Sequence, residues 1–244
     1  MDFCQILGVK TAAATMEEAT AMVCRHYRNW RGQYITFANT HAVVMADDRK
    51  EYRKAQNNAV LTFADGYPVA SYERKKGYKR AERIAGPDFM TEIFIRSAKE
   101  GYRHYFYGSS PQTLRELKKN LQEKYPRMVI AGMYAPPYTE KLNKDYAQDI
   151  KRINDTKPDF VWIGMGAPKQ ELWMYQNKGK VDGLMLGVGA GFDFHAGTRK
   201  RAPRSWQRIG MEWMYRLLQE PKRLLKRYLV TNSKFLWKTL VQRK

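Results

Sequence analysis

Six short apolar runs punctuate the chain: QYITFA, AVLTFAD, RHYFYGSS, RMVIAGMY, DFVWIGMG and GLMLGVGAG. Most of them end at Gly, Asp, Ser or Asn. Runs this short, apolar throughout instead of alternating, have the pattern of strands buried on both faces. Between them lie mixed polar and apolar segments of helical length. MEEATAMVCRHYRNW follows Thr15, and Thr15 with Glu18 fits a capping box, in which the two side chains satisfy free N–H groups of the first turn. PQTLRELKKNLQEKY carries Pro111 just inside its start, and KDYAQDIKRINDTKP stops before Pro158. Strands alternating with helices predict an α/β fold, with a Rossmann-like, mainly parallel sheet flanked by helices. Ligands of such sheets bind beyond the carboxyl ends of the strands, so chemistry is sought there.

From Arg199 onward the pattern changes. That segment holds 14 Lys and Arg against two acids, Glu212 and Glu220, and so carries +12 of the formal +20 of the chain. After Pro221, Leu224, Leu225, Tyr228 and Leu229 fall on one helical face, with Lys222, Arg223, Lys226 and Arg227 on the flanks and opposite side. This is the pattern of a basic amphipathic helix lying in a membrane interface, and Trp206, Trp213 and Trp237 add interfacial anchors. The competing expectation is a helix packing its apolar face on the domain. The chain therefore divides into an α/β domain over residues 1–198 and a basic, amphipathic helical appendage over 199–244, placed to associate with membrane and to cover the cleft.

The charge calls for a polyanionic partner: nucleic acid, anionic lipid or a phosphorylated substrate. Nucleic acid is disfavoured, because no helix-turn-helix, zinc-finger or RNA-recognition signature accompanies the charge. No apolar run approaches the ~18 residues of a membrane span. MDFCQILGVKTAAATMEEA lacks the basic and apolar regions of a signal peptide. Cys4 and Cys24 form neither a metal-binding spacing nor a disulfide framework, which predicts a reduced, cytoplasmic protein.

Four stretches are candidates for chemistry. TFADGYP sets Asp65 at the end of an apolar run, where a carboxylate can take a proton from a hydroxyl or, more plainly, cap the next helix. GMGAPKQE, with Lys169 and Gln170, makes a helix entrance whose backbone N–H groups can meet an anion, although it lacks P-loop spacing. GVGAGFDFHAG fails the dinucleotide fingerprint, since Phe192 stands where the third glycine belongs; it also offers Asp193 and His195 as a potential dyad. RIAGPDF supplies Arg83, whose planar fork suits a diphosphate. No metal-holding Asp-x-Asp element is present.

Taken in order, FADG, ERIAGPDF, YFYGSSP, IGMGAPKQE, GVGAGFDFHAG, RAPRSW and EWMYRLLQEPKRLLKRYL resemble the WecG/TagA/CpsF family of bacterial glycosyltransferases. The matching stretches span Asn39 to Leu229, and several in one order are far more specific than any one alone. The resemblance implies transfer of a hexose or N-acetylhexosamine from a UDP-sugar to a polyprenyl-diphosphate-linked sugar, at the inner face of the cell membrane. The products are teichoic acid, capsule or exopolysaccharide. It implies inversion at the anomeric carbon, no metal, and no cofactor, the UDP-sugar being a substrate.

By the same resemblance Asp65 is the general base, and Asn39 shapes its pocket. Arg83 faces the diphosphate or acceptor, Gln170 the donor, and Gly108, Gly164, Gly187 and Gly189 line the nucleotide cleft. Arg201, Arg204 and Arg208 are placed to close over the diphosphate, and self-association is also implied. Phe37 stands where many members carry Thr, which points away from N-acetylmannosamine and toward a glucosyl or galactosyl donor. A basic, non-enzymatic α/β module for anionic lipid or RNA would explain the charge but gives FADG and GAPKQE no purpose. A sugar-nucleotide epimerase or dehydrogenase meets the failed fingerprint.

Overall fold

The computed structural model describes residues 1–139, 142, 145–208 and 210–241; the side chains of Arg204, Arg208, Arg223, Lys226 and Arg227 lie outside that description. All six apolar runs are strands: β3 (Tyr34–Ala38), β4 (Leu61–Ala64), β5 (Arg103–Gly108), β6 (Val129–Tyr134), β7 (Phe160–Gly164) and β8 (Leu184–Gly187). They form one parallel sheet in the order β4-β3-β8-β7-β5-β6. The fold is α/β and Rossmann-like.

A further pair, β1 (Asp2–Ile6) and β2 (Val9–Ala13), forms an antiparallel hairpin outside this sheet. Its turn residues Leu7 and Gly8 both have positive φ, 47° and 80°, as a two-residue hairpin turn of this hand requires. The apolar-run pattern missed the hairpin because its residues alternate between buried and exposed and its turn uses Leu in place of Asn or Asp. Thr11 of β2 donates to Glu73 Oε1 at 2.5 Å, tying the hairpin to the helix over Tyr67–Lys75; burial pushes the Glu73 carboxyl up to about 7.

Helices cover both faces of the sheet. They are α1 (Met16–His26), α2 (Thr40–Asp48), α3 (Lys50–Asn57), α4 (Tyr67–Lys75), α5 (Gly86–Glu100), α6 (Pro111–Lys124), α7 (Ala147–Asn154), α8 (Lys169–Gln176) and α9 (Gly191–Ala196). The capping box of α1 is formed: Glu18 N donates to Thr15 Oγ1 (3.1 Å) and Thr15 N to Glu18 Oε2 (3.0 Å). One face of the sheet meets a slab of aromatic rings, including Phe63, Phe89, Phe94, Phe106, Phe160 and Trp162. His104 sits within it as a neutral imidazole. Trp162 Nε1 donates to its Nδ1 at 3.0 Å, so Nε2 carries the proton toward Ser97 Oγ at 2.7 Å, and burial lowers its pKa to about 3.

The boundary expected at residue 198 falls between α9 and the three helices α10 (Arg204–Arg208), α11 (Glu212–Gln219) and α12 (Pro221–Val241). These fold back over the domain. Along α2, α12 buries Phe235, whose ring lies 6.4 Å from that of Tyr72. Lys234 pairs with Asp48 at 2.9 Å, and Lys238 pairs with both Asp47 and Asp48. The single apolar face expected for α12 divides as a result. Leu224 is fully buried, whereas Leu225 and Leu229 are 51% and 62% exposed and continue into an exposed row with Leu236, Trp237 and Leu240. The expected packing on the domain is met by the side that carries Leu224 and Phe235, while the exposed row leaves a second apolar face uncovered.

Removing the Phe235 ring deletes a buried aromatic contact worth about 3 kcal/mol or more. Phe235→Ala is expected to make α12 the first site of limited proteolysis while the sheet stays intact. Mass mapping of the cleavage products and a thermal melt check this.

Candidate active site

At the carboxyl ends of β3, β4, β7 and β8 lies a cavity of about 520 Å³, roofed by the α10–α12 segment. Asp65 follows β4 directly, its N–H donating to Ala38 O at 3.0 Å, so β3 and β4 fix its position. It is not a cap: the N-cap of α4 is Gly66, with no side-chain bond. Burial pushes the Asp65 carboxyl up to about 7; Arg83 opposes this, Glu212 adds to it, and Arg216 and Arg201 oppose it again. A carboxyl held there takes up a proton readily near neutral pH.

Asn39 lines the cavity from the next strand end and caps α2, its Oδ1 accepting from Ala42 N at 3.1 Å. Phe37 also borders the cavity, but its ring packs chiefly on Phe63 and Phe89, with centroids 5.9 and 5.4 Å away. It forms an apolar wall, only 6% exposed.

The two glycine stretches meet at Gln170. Its Oε1 accepts from Gly166 N (3.1 Å) and Gly189 N (3.0 Å), and its Nε2 donates to Gly187 O (3.1 Å) and Glu171 Oε1 (2.9 Å). Gln170 borders the cavity, as expected, and its amide is fully bonded within the protein, so it shapes the cleft by tying the two glycine stretches together. The N–H groups of Gly166 and Gly189 are likewise taken, so GMGAPKQE does not offer them to an anion. Glu171, buried beneath and bonded also to Tyr52, is pushed up to about 7 by burial.

Gly164, Gly187 and Gly189 border the cavity; Gly108 does not. Gly108 adopts φ 113°, and a Cβ there would stand 2.8 Å from the Gly164 carbonyl carbon, so its absence of a side chain lets β5 and β7 end side by side. Lys169 also departs from expectation. Its ammonium turns to the Thr139 carbonyl and the Tyr138 ring, outside the cavity. Asp193 and His195 form no dyad: the His195 ring Nε2 faces Pro87 O at 3.1 Å, and burial lowers its pKa to about 4.

Arg83 and Arg201 come together from distant parts of the chain. Arg201 grips Asp88 through both Nη atoms at 2.5 and 2.8 Å, and Arg83 Nη2 reaches the same carboxylate at 3.1 Å. Glu212 spans both guanidiniums, Oε2 to Arg83 Nη1 at 3.0 Å and Oε1 to Arg201 Nε at 3.3 Å. Burial alone would weaken the hold of Arg201 on its proton, but the two carboxylates outweigh it and raise its pKa. Arg216 and Arg199 border the cavity as well, and neither was singled out from sequence. The Arg216 Nε is buried without a hydrogen-bond partner among the described residues, whereas Arg199 pairs with Glu220 at 3.0 Å. The Arg204 and Arg208 side chains lie outside the described residues. Among the described residues no three His, Cys, Asp or Glu side chains gather as a metal site.

A parallel sheet with Asp65 and an arginine–carboxylate group gathered at its carboxyl edge is the layout of an α/β fold whose ligand site lies beyond the strand ends. Residues 4–244 match the family model described as the glycosyl transferase WecG/TagA/CpsF family, and the chain belongs to that family. It is a glycosyltransferase of cell-surface polysaccharide synthesis.

Gln170→Leu keeps the volume of the side chain but strands two glycine N–H donors, at about 1–3 kcal/mol each. A thermal melt should fall by several degrees, and cleft amides of residues 164–167 and 187–190 should exchange hydrogen faster. An unchanged melt and exchange pattern would refute the tie.

Proposed function

We propose that this glycosyltransferase moves a hexose or N-acetylhexosamine from a UDP-sugar to a lipid-diphosphate-linked sugar, inverting the anomeric centre in a single displacement. The acceptor hydroxyl oxygen attacks the anomeric carbon while the bond to the UDP oxygen breaks, its electron pair leaving with UDP. Asp65 takes the hydroxyl proton. The observation that carries this reading is Asp65 itself, a carboxyl raised to about 7 in a cavity bordered by arginines. Charge building on the departing diphosphate is stabilised by those guanidiniums, so the reaction proceeds without a divalent ion. The apolar Phe37 wall favours a glucosyl or galactosyl donor over N-acetylmannosamine.

Turnover of radiolabelled UDP-sugars on a synthetic lipid-diphosphate sugar tests the reading. Asp65→Asn should fold and bind UDP but lose about two to four orders of magnitude in turnover. The base must be ionised to act. The kcat/KM of the wild type should therefore rise with pH below about 7 and level off above it, following the Asp65 carboxyl. EDTA should leave activity largely intact; collapse with chelator and recovery with magnesium or manganese would refute the metal-free mechanism.

No helix among the described residues is long and apolar enough to cross a membrane. The exposed row of Leu225, Leu229, Leu236, Trp237 and Leu240 supports peripheral attachment to the anionic inner leaflet instead. Each nearby cation contributes about 1 kcal/mol to such attachment. Replacing Leu229 and Leu236 by Glu leaves the packed side of α12 untouched and should abolish pelleting with phosphatidylglycerol vesicles. Pelleting equal to the wild type would show that this row does not anchor the protein; a loss of self-association in the same variant, seen by sedimentation, would assign it to contact between copies.

A further inference from the structure

The chain carries a large positive charge, yet part of its cleft is electrically balanced. Arg83 and Arg201 face two carboxylates, Asp88 and Glu212, so this quartet has no net charge with which to attract a diphosphate. The two acids have different standing. Asp88 lies in the first turn of α5 and alone makes three of the five hydrogen bonds of the group. Those bonds suffice to orient both guanidiniums. Glu212 comes from α11, in the folded-back segment, and adds one bond to each arginine.

The shape of the Glu212 contact is informative. A single anionic group bridges two guanidiniums, one oxygen to each, in the manner of a phosphate held between two arginines. One helical turn further along the same helix, Arg216 borders the cavity with its buried Nε unpartnered among the described residues. A helix that presents an internal anion and, one turn on, a cation with a buried donor to spare at the cleft is suited to receiving an anion as the internal one leaves.

We propose that Glu212 holds the place of a substrate diphosphate, and that the diphosphate displaces this carboxylate from Arg83 and Arg201 when it binds. This rests on the glycosyl-transfer reading for the identity of the diphosphate, which belongs to either the UDP donor or the lipid acceptor. Glu212 leaves the guanidiniums, the diphosphate oxygens take its two positions, and the local charge rises by one to meet the ligand. Glu212 thereby sets a threshold: a weak anion such as a lone carboxylate does not dislodge it, whereas a multiply charged diphosphate does.

The experiment is calorimetric titration of the full chain and of Glu212→Gln with inorganic pyrophosphate, UDP and a short prenyl diphosphate. If Glu212 competes with the ligand, Glu212→Gln binds pyrophosphate at least about fivefold more tightly than the wild type. If Glu212 merely orients the arginines, the same variant binds equally or less tightly, and the proposal is overturned. Once pyrophosphate binding tightens, a parallel gain for UDP but not the prenyl diphosphate assigns the site to the donor, and the reverse assigns it to the acceptor. Asp88→Asn, which loosens the orienting carboxylate, should bind all three more weakly. Glu212→Asp retains the charge and guards against loss of fold in the Gln variant. Its affinity should lie near the wild type, and affinity matching a tightened Gln variant would overturn the proposal.

Sugar transfer is measured separately. Absence of transfer by the wild type refutes the glycosyl-donor reading while the pyrophosphate comparison stands. Transfer without tightening in Glu212→Gln refutes displacement alone.

Discussion

The cleft depends on one amide. Gln170 accepts from two glycine N–H groups and donates to a glycine carbonyl and a buried carboxylate, fixing the exits of β7 and β8 relative to each other. Glycine-rich loops have high conformational entropy, and Met165 and Val188 are the packed side chains these exits contribute to the core. A single rigid group bonded at four points supplies that order from outside the loops. The Asp65 side of the cavity is fixed differently, by the ladder between β3 and β4. The cleft is therefore a joint between a wall set by sheet pairing and a wall set by one side chain.

The parallel sheet was legible in the sequence because its strands are short apolar runs, most of which end at a residue that breaks them. The β1–β2 hairpin was not, because exposed residues interrupt its buried ones and its turn has no common signature. Asp65 could be picked out from its place at a strand end. The arginine–carboxylate quartet could not, since Arg83 and Asp88 are separated in sequence from Arg201 and Glu212 by the whole central part of the fold. Arg216 was hidden for a related reason. In a segment with 14 Lys and Arg, nothing in the local pattern distinguishes a cation that faces a cavity from one that faces water. Lys169 and Gln170 stand side by side in a conspicuous motif, yet only Gln170 borders the cavity, while Lys169 turns away from it.

The C-terminal helices answer to two demands at once. Leu224 and Phe235 complete the core beside α2, while Leu225, Leu229 and Leu236 are left outward. A helix with an apolar stripe on each of two sides needs cations placed between the stripes to stay in water. Lys234 and Lys238 serve that purpose and are anchored by Asp47 and Asp48. Composition thus reflects a packing constraint on one side of the helix, and packing alone does not account for the apolar row left exposed on the other.

α2 begins at Asn39, on the wall of the cleft, and ends at the acids that grip α12. Nine residues of helix make a strut of about 13 Å, stiff on the scale of thermal motion. The wall that carries Asn39 and the acids that hold α12 are thus the two ends of one rod, so the cleft and the outer helix share a single rigid element.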